Sequence, residues 1–352
     1  MNVALAQADK AVGKTAENPA VGCAIIDRNG RLIAIGHTQP SGRPHAEIMA
    51  LDMAGDLAQD GTAYVTLEPC AHIGKTGPCA RALIEAGIAH VIIAADDPDS
   101  RVCGKGIAML EDAGVRVSRM PHLRASRQMA GFLSRHQKAR PFLFMKMATS
   151  CDGFITAKQG SQTWLTGAVS KRYVHDLRSR CDVMLTTSGT IGADDPAMTM
   201  RITGYEAPQP ALAILDSKAS LPIDAACLQA ERPILLYHAK GATLKDWPSH
   251  IVPISISQKD QMLWLEDIVQ DLHERGFGTV MGEAGATLFD SLHSAHLIDE
   301  LIWLQAPQSL KTGLLAWDSP DKMDFSPPKA YIIKDSFELG ADKGFILHPK
   351  AS

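Results

Sequence analysis

The chain has 352 residues, of which 45% are hydrophobic and 21% charged, and this length predicts a globular protein of two domains. Its net charge of −4 and pI of about 6.3 argue against a nucleic-acid-binding or membrane-surface protein. No apolar run approaches the roughly 20 residues of a membrane span, the N-terminus lacks a signal-peptide core, and the seven cysteines lack framework spacing, so we expect a cytoplasmic protein with free thiols.

Residues 1–121 predict a three-layer α/β/α domain, because helical and strand patterns alternate along them. A helix begins almost at Met1. Residues 19–37 predict a hairpin around Asn29-Gly30, since a type I′ turn needs positive φ at two residues. The following elements are the helix HAEIMALDMAG, the strand TAYVTLEP, the helix CARALIEAGI, the strand HVIIAADDP, the helix GIAMLEDAG and the strand VRVSRM.

Residues 122–140 predict a basic connecting helix, and residues 141–352 predict a second α/β domain. The strands of this second domain are PFLFMKMATS, CDVMLTTS, PALAILDS, PILLYHA, HIVPISIS, GTVMGEAG and IDELIWLQAP. Helices between them include SKRYVHDLRSR and ATLFDSLHSA.

Three residues have the side chains of a zinc site. We expect His45 and Glu47 in the first turn of a helix, Cys70 at the end of a strand, and Cys79 after a loop. One histidine and two thiolates are good Zn²⁺ ligands and leave a fourth position for water, whose pKa zinc lowers to about 7. Glu47 could then move protons without occupying the metal. Taken separately, His45 and Glu47 fit a solvated helix start, and the two cysteines fit buried free thiols. The presence of both features in one chain favours a metal site.

His-x-Glu followed by Pro-Cys-x-x-Cys is the signature of zinc-dependent deaminases. In this chain eight residues, rather than two, separate Cys70 from Cys79. A deaminase of nucleic-acid bases would need a basic groove with stacking aromatic residues, and the acidic pI and 5% aromatic content argue against one.

The segments ENPAVGCAII, SGRPHAE and YVTLEPCAHIGKTGPC resemble the deaminase half of the bifunctional deaminase/reductases of riboflavin biosynthesis. The resemblance implies a cytidine-deaminase-like fold. It also implies a diaminopyrimidinone substrate that carries a ribosyl 5-phosphate and exchanges an exocyclic amine for oxygen. The substrate contacts it implies in this half are Asn18, His37, His72 and Lys75.

The segments KMATSCDGFIT, LRSRCDVMLTTSGTIGADDPAMTMR and GEAGATLFDSL resemble the reductase half of the same family. This implies a dihydrofolate-reductase-like α/β fold that uses NADPH to reduce the ribosyl group to ribityl. The implied cofactor contacts are Ala148, Trp164, Thr190, Asp194, Ser217, Gly285, Ala286, Thr287, Leu288, Phe289, Asp290 and Ser291. The implied substrate contacts are Lys146, Gln162, Arg178, Met198, Arg201 and Glu283. Of these, the two guanidinium groups suit a phosphate.

Two segments depart from the family pattern. Gln162 stands where the family usually has the serine of Gly-x-Ser-x-Trp, and APQSLKTGLLAW lacks the usual Pro-x-Leu-Leu-Gly. An alternative interpretation is therefore an active deaminase whose reductase-like half only binds or oligomerises. We expect small-molecule substrates, a homo-oligomer (dimer or tetramer), and neither a nucleic acid nor a membrane as partner.

Overall fold

The computed structural model of the protein describes residues 1–71, 77–99, 103–157, 164–204, 208–317 and 328–350. The chain forms two compact units, Met1–Pro141 and Phe142–Ser352. Among the described residues, no helix is both long and apolar enough to cross a membrane. All seven cysteines are free thiols.

The first unit is built on a five-stranded sheet with the order β2-β1-β3-β4-β5. Strand β1 is antiparallel to β2 and β3, whereas β3, β4 and β5 are parallel. The strands are β1 (Gly22–Ile26), β2 (Leu32–His37), β3 (Thr62–Val65), β4 (His90–Ile93) and β5 (Arg116–Arg119).

Helices cover both faces of this sheet, as a three-layer domain requires. They are α1 (Asn2–Ala8), α2 (Ala46–Ala54), α3 (Cys79–Glu85), α4 (Lys105–Asp112), α5 (Leu123–Gln128) and α6 (Ala130–Lys138). Helix α2 approaches β2 so closely that a Cβ on Gly36 would lie 2.2 Å from the carbonyl oxygen of Ala46. Glycine at this position therefore lets the helix lie directly on the sheet.

The β1–β2 hairpin forms, but its turn differs from the expected type I′. Gly30 has a positive φ of 80° and Asn29 does not. The carboxylate of Asp27 accepts hydrogen bonds from the N–H groups of Asn29 (2.8 Å) and Arg31 (2.9 Å), which stabilises a turn with a single left-handed residue.

The connecting segment over 122–140 forms two helices, α5 and α6, instead of the single helix expected. Met129 leaves helical geometry (φ −112°, ψ 16°) and is buried in the core of the first unit. Anchoring this side chain in the core bends the chain at that point.

The second unit contains a nine-stranded sheet with the order β11-β10-β9-β8-β14-β6-β15-β18-β17. Its strands are β6 (Phe142–Thr149), β8 (Val183–Thr187), β9 (Ala211–Leu215), β10 (Ile234–Ala239), β11 (Ile251–Ile256), β14 (Thr279–Gly282), β15 (Glu300–Gln305), β17 (Tyr331–Leu339) and β18 (Asp342–Pro349). Two short pairs lie outside it: β7 (Phe154–Thr156) with β16 (Leu314–Leu315), and β12 (Gln258–Lys259) with β13 (Met262–Leu263). The helices are α7 (Ala168–Ser179), α8 (Ser188–Asp194), α9 (Leu265–Glu274) and α10 (Ala286–Ser294).

Both faces of the large sheet are buried, because alternate residues of its central strands enter two different cores. Leu143, Met145 and Met147 of β6 pack with α9 and α10. Phe144 of the same strand packs on the opposite face with residues of α7 and α8. This explains why the parallel strands appear in the sequence as continuous apolar runs.

Candidate active sites

The three expected zinc ligands come together at the carboxyl end of β3. Cys70 follows this strand, and Cys79 is the first residue of α3. His45 is the N-cap of α2, with extended backbone angles, and is not in the first helical turn as expected; Glu47 does lie in that turn. The N-cap position places the imidazole beyond the end of the helix, facing both thiols.

The distances among the three side chains match a tetrahedral zinc site. His45 Nδ1 lies 3.2 Å from Cys79 Sγ and 3.7 Å from Cys70 Sγ. With metal–ligand bonds of 2.0–2.3 Å, tetrahedral zinc separates its ligand atoms by about 3.6 Å. Donor chemistry and spacing therefore both fit Zn²⁺.

The surroundings of Cys70 favour its thiolate, which is the form that binds metals. The thiol of Cys79 and the ring of His45 hydrogen-bond to Cys70, and together they lower the pKa of Cys70 to about 4. The backbone N–H of Cys79 also donates to Cys70 Sγ at 3.3 Å.

Glu47 lies beside these ligands in a buried position, with 3% of its surface exposed. Its carboxyl group hydrogen-bonds to the thiol of Cys79. Burial raises the pKa of Glu47 to about 7, against the opposing effect of His45. A carboxyl group with a pKa in this range can both accept and release a proton at neutral pH.

Glu68 is a further residue of this site that the sequence did not reveal. It is buried, and its carboxylate accepts hydrogen bonds from backbone N–H groups on two other segments. Oε1 accepts from Gly106 (3.0 Å) and Ile107 (3.3 Å) of α4, and Oε2 accepts from Gly104 (3.1 Å) and Asp97 (3.4 Å). Glu68 thus anchors the turn that carries Cys70 to the start of α4.

Substituting Glu68 with glutamine should weaken this anchor, because the new NH₂ group faces N–H donors. We expect Glu68→Gln to lose about 1–3 kcal/mol of unfolding free energy and to release zinc more readily to a chelator. The exposed Glu111→Gln on α4 is the matched control. Equal unfolding temperatures and equal zinc retention in the two variants would exclude an anchoring role.

Of the four substrate contacts implied for the deaminase half, His37 and Asn18 lie within the described residues. His37 ends β2, and burial together with Lys10 and Lys14 lowers its pKa. The Asn18 side chain donates to the carbonyl of Thr15 at 3.2 Å and lies against Gly42. His72 and Lys75 lie outside the described residues.

A large cleft in the second unit lies at the carboxyl ends of β6, β8, β9 and β14, where α/β sheets generally bind ligands. Its volume of about 1120 Å³ exceeds the space that one small ligand usually needs. The expected contacts that line it are Lys146, Ala148, Trp164, Arg178, Thr190, Asp194, Met198, Arg201, Ser217, Glu283, Gly285, Ala286, Thr287, Leu288 and Ser291.

Two of the contacts expected in this half are placed differently. Phe289 and Asp290 are outside the wall of the cleft, and the Phe289 side chain is fully buried against Trp317 in the core. Gln162 lies outside the described residues.

In the cleft, two cationic side chains bind one carboxylate. Glu283 Oε1 lies 3.0 Å from Lys146 Nζ and 2.9 Å from Arg178 Nη2, while Arg178 Nε donates to Oε2 at 3.1 Å. Burial alone would raise the pKa of Glu283, but the two cations outweigh it and hold the pKa at about 2. The cluster therefore keeps one positive charge in excess at neutral pH.

One face of helix α7 lines the cleft and includes two residues, Lys171 and His175, that were not among the contacts expected from the sequence. Lys171, His175 and Arg178 all line the cleft. Their spacing of four and three residues puts them on one helix face, so this signal was present in the sequence. Lys171 Nζ also lies 3.9 Å from the ring centroid of Trp164, whose surface is 66% exposed.

The turn from β14 into α10 forms another wall of the cleft. Gly285 is the N-cap of α10, and the first turn contains no acidic residue. The free N–H groups of a helix start attract phosphate oxygens. The expected strand-to-helix turn is therefore present in the cleft.

The segment after β15, which departs from the family pattern, is hydrogen-bonded to the β6–β7 turn. The carboxylate of Asp152 accepts hydrogen bonds from Ser309 Oγ (2.5 Å), Leu310 N (3.0 Å) and Lys311 N (2.7 Å). Gln308 Nε2 donates to the carbonyl oxygen of Trp164 at 3.3 Å. The residues that depart from the family pattern thus support Trp164 at the cleft.

Two family profiles match separate parts of the chain. The cytidine and deoxycytidylate deaminase zinc-binding region matches residues 1–95, and the RibD C-terminal domain matches residues 141–310. These matches confirm the cytidine-deaminase-like and dihydrofolate-reductase-like fold classes that the sequence resemblance implied.

Relatives match almost the whole chain. The riboflavin biosynthesis protein RibD of Haemophilus influenzae is 38% identical over 99% of this chain and 96% of its own length. The Escherichia coli RibD is 34% identical over 93% and 92%. The solved structure of Acinetobacter baumannii RibD superimposes with a TM-score of 0.84 at 30% identity, over 99% of this chain and 97% of that one.

A Thermotoga maritima diaminohydroxyphosphoribosylaminopyrimidine deaminase/5-amino-6-(5-phosphoribosylamino)uracil reductase superimposes with a TM-score of 0.86 at 28% identity, with the same coverage. Fold and sites define a two-domain enzyme in which a zinc-dependent deaminase is joined to a reductase. Within that class, the chain belongs to the RibD family of bifunctional riboflavin-biosynthesis enzymes.

Proposed function

We propose that the first unit deaminates a diaminopyrimidinone carrying a ribosyl 5-phosphate, with His45, Cys70 and Cys79 as zinc ligands and Glu47 as the proton carrier. The observation that supports this most strongly is the arrangement of the three ligands, with Nδ1–Sγ distances of 3.2 and 3.7 Å and a buried carboxyl group beside them. A bound zinc ion supplies a Lewis acid that activates water at neutral pH.

Glu47 carries the proton transfers of this step. Its carboxylate takes a proton from the attacking water and returns it to the departing amine, so that ammonia leaves as a neutral group. Burial excludes bulk water from the carboxyl group and keeps its pKa near neutrality. We assign Asn18, His37, His72 and Lys75 to substrate binding, as the family resemblance implies.

The second unit, in this proposal, binds NADPH and the deaminated product side by side in the cleft. The cofactor supplies a hydride for C1 of the opened ribose. Trp164 offers an exposed ring for stacking, and the start of α10 offers N–H groups for the pyrophosphate. The remaining proposed cofactor contacts are Ala148, Thr190, Asp194, Ser217, residues 285–288 and Ser291.

The sugar phosphate is assigned to the cationic side of the cleft, near Arg201 and the α7 face. Lys146 Nζ lies 3.0 Å from Glu283 Oε1 and is assigned a hydrogen bond to a sugar oxygen. Each nitrogen of Arg178 already donates to a protein oxygen, with Nη1 bound to the carbonyl of Thr199 at 2.7 Å. We therefore assign Arg178 to holding Glu283 in place. Gln162 and Met198 complete the proposed substrate contacts.

We also propose a cytoplasmic homo-oligomer, a dimer or a tetramer. Free thiols at all seven cysteines support a reducing compartment.

The Arg201→Ala variant tests the phosphate assignment. Losing one charge-assisted contact should raise the KM of the reductase for its pyrimidine substrate by about 10- to 100-fold. The affinity for NADPH, measured from tryptophan fluorescence, should stay within about twofold of the parent's. Arg172→Ala, an exposed residue of α7, is the control. A normal KM in Arg201→Ala would remove the assignment.

A further inference from the structure

One wall of the reductase cleft is an irregular segment, residues 196–201, with neither helix nor strand geometry. Pro196, Ala197, Met198 and Arg201 line the cleft directly. Met198 has a positive φ of 49°, which is unfavourable for a side chain with a Cβ. The backbone conformation of residues 196–201 must therefore be imposed by contacts with other parts of the unit.

Side chains from outside the segment bind its successive backbone groups. Arg232 Nη2 donates to the carbonyl of Ala197 (3.3 Å), and Arg232 Nη1 donates to that of Met198 (2.6 Å). The Gln209 side-chain amide forms two hydrogen bonds with the backbone of Met200. It accepts one from the N–H at 2.7 Å and donates one to the carbonyl oxygen at 2.9 Å.

Two further hydrogen bonds hold Arg201 at the end of this segment. His175 Nδ1 accepts a hydrogen bond from the backbone N–H of Arg201 at 3.2 Å. The Arg201 guanidinium in turn donates to Thr199 Oγ1 at 2.8 Å. The position of the Arg201 side chain is thus set by how the backbone of residues 196–201 is held.

Arg232 is unusual because it is a buried cation, 5% exposed, that donates hydrogen bonds to four backbone carbonyls. Within the described chain, no carboxylate forms an ion pair with it, and burial lowers its pKa to about 10. Burying a guanidinium without a counter-ion costs free energy that an apolar side chain would not. Neither Arg232 nor Gln209 lines the cleft.

We propose that Arg232 and Gln209 are positioning residues of the reductase, which set its affinity for the phosphorylated pyrimidine by fixing the backbone of residues 196–201. The inference rests on the proposed reductase function and adds two residues that touch neither substrate nor cofactor.

The test compares Arg232→Met, Arg232→Lys and Gln209→Glu with the parent in the full chain. Arg232→Met keeps the length of the side chain without its donors, Arg232→Lys keeps the charge without the fork, and Gln209→Glu keeps the acceptor and loses the donor. Arg275→Met, which removes a partly exposed arginine of the same unit, is the control. The readouts are the KM and kcat of reduction, equilibrium binding of the deaminated pyrimidine phosphate, and NADPH affinity.

We expect Arg232→Met and Gln209→Glu to weaken pyrimidine binding by about 10- to 100-fold, as misplacement of a binding group does. Arg232→Lys should recover part of this loss, and NADPH affinity should remain within about twofold of the parent's. Parallel losses of pyrimidine and NADPH affinity would indicate a merely structural role and overturn the inference, as would unchanged pyrimidine binding. Equilibrium binding separates the two proposals, since a parent that binds the pyrimidine without reducing it contradicts the reductase function alone.

Discussion

Replacing Glu47 with glutamine should leave zinc bound and reduce deamination by about 10²–10⁴-fold, the range typical of removing a general acid/base. Glutamine has nearly the same shape as glutamate but cannot accept and return a proton. The carboxyl group is buried beside the zinc ligands, so no bulk water stands ready to replace it as a proton carrier.

The zinc content of Glu47→Gln and its steady-state deamination rate should be measured on the same preparation. The exposed Glu85→Gln on α3 controls for the loss of one negative charge in the same unit. A Glu47→Gln enzyme that deaminates within a few-fold of the parent would show that another group moves the proton.

The double variant Cys70→Ala/Cys79→Ala should bind no zinc tightly and should deaminate at the uncatalysed rate. A single histidine cannot hold Zn²⁺ in a structural or catalytic site, and without the metal no water is activated. Reduction of added deaminated product should persist, because every residue assigned to it lies in residues 142–352.

A matched control removes two other cysteines, Cys103 and Cys151, which are not part of the His45–Cys70–Cys79 cluster. Metal analysis of the two double variants should differ by one zinc per chain. Full zinc occupancy in Cys70→Ala/Cys79→Ala would mean that the ion binds elsewhere.

The clustering of the three proposed zinc ligands could be predicted from the sequence because zinc chemistry admits few residue types at few positions. A histidine before a helix, a carboxylate two residues later, and cysteines at a strand end and a helix start form a pattern with little freedom. The sequence could not assign His45 to the N-cap rather than the first turn, since helix ends depend on local backbone geometry that side-chain patterns leave undetermined.

The supporting residues were out of reach for a different reason. Glu68 and Arg232 bind backbone groups of segments remote in the chain, and Gln209 binds the backbone of a residue nine positions away. No periodicity marks such contacts. The β17–β18 hairpin was missed because β17 is an edge strand with five exposed residues in succession, so it lacks an alternating pattern. By contrast, the face of α7 that lines the cleft follows from simple helical spacing.

The most direct test of the account supplies the purified protein with the phosphorylated diaminopyrimidinone, with and without NADPH, and identifies the products by mass. Without NADPH, we predict a product in which one amine has been replaced by oxygen and the ribosyl group is intact. With NADPH, we predict a product that also carries two additional hydrogen atoms on the sugar chain. Unchanged substrate without NADPH would contradict the deaminase assignment. A deaminated product that is not reduced when NADPH is present would contradict the reductase assignment and leave the second unit as a binding or oligomerisation module.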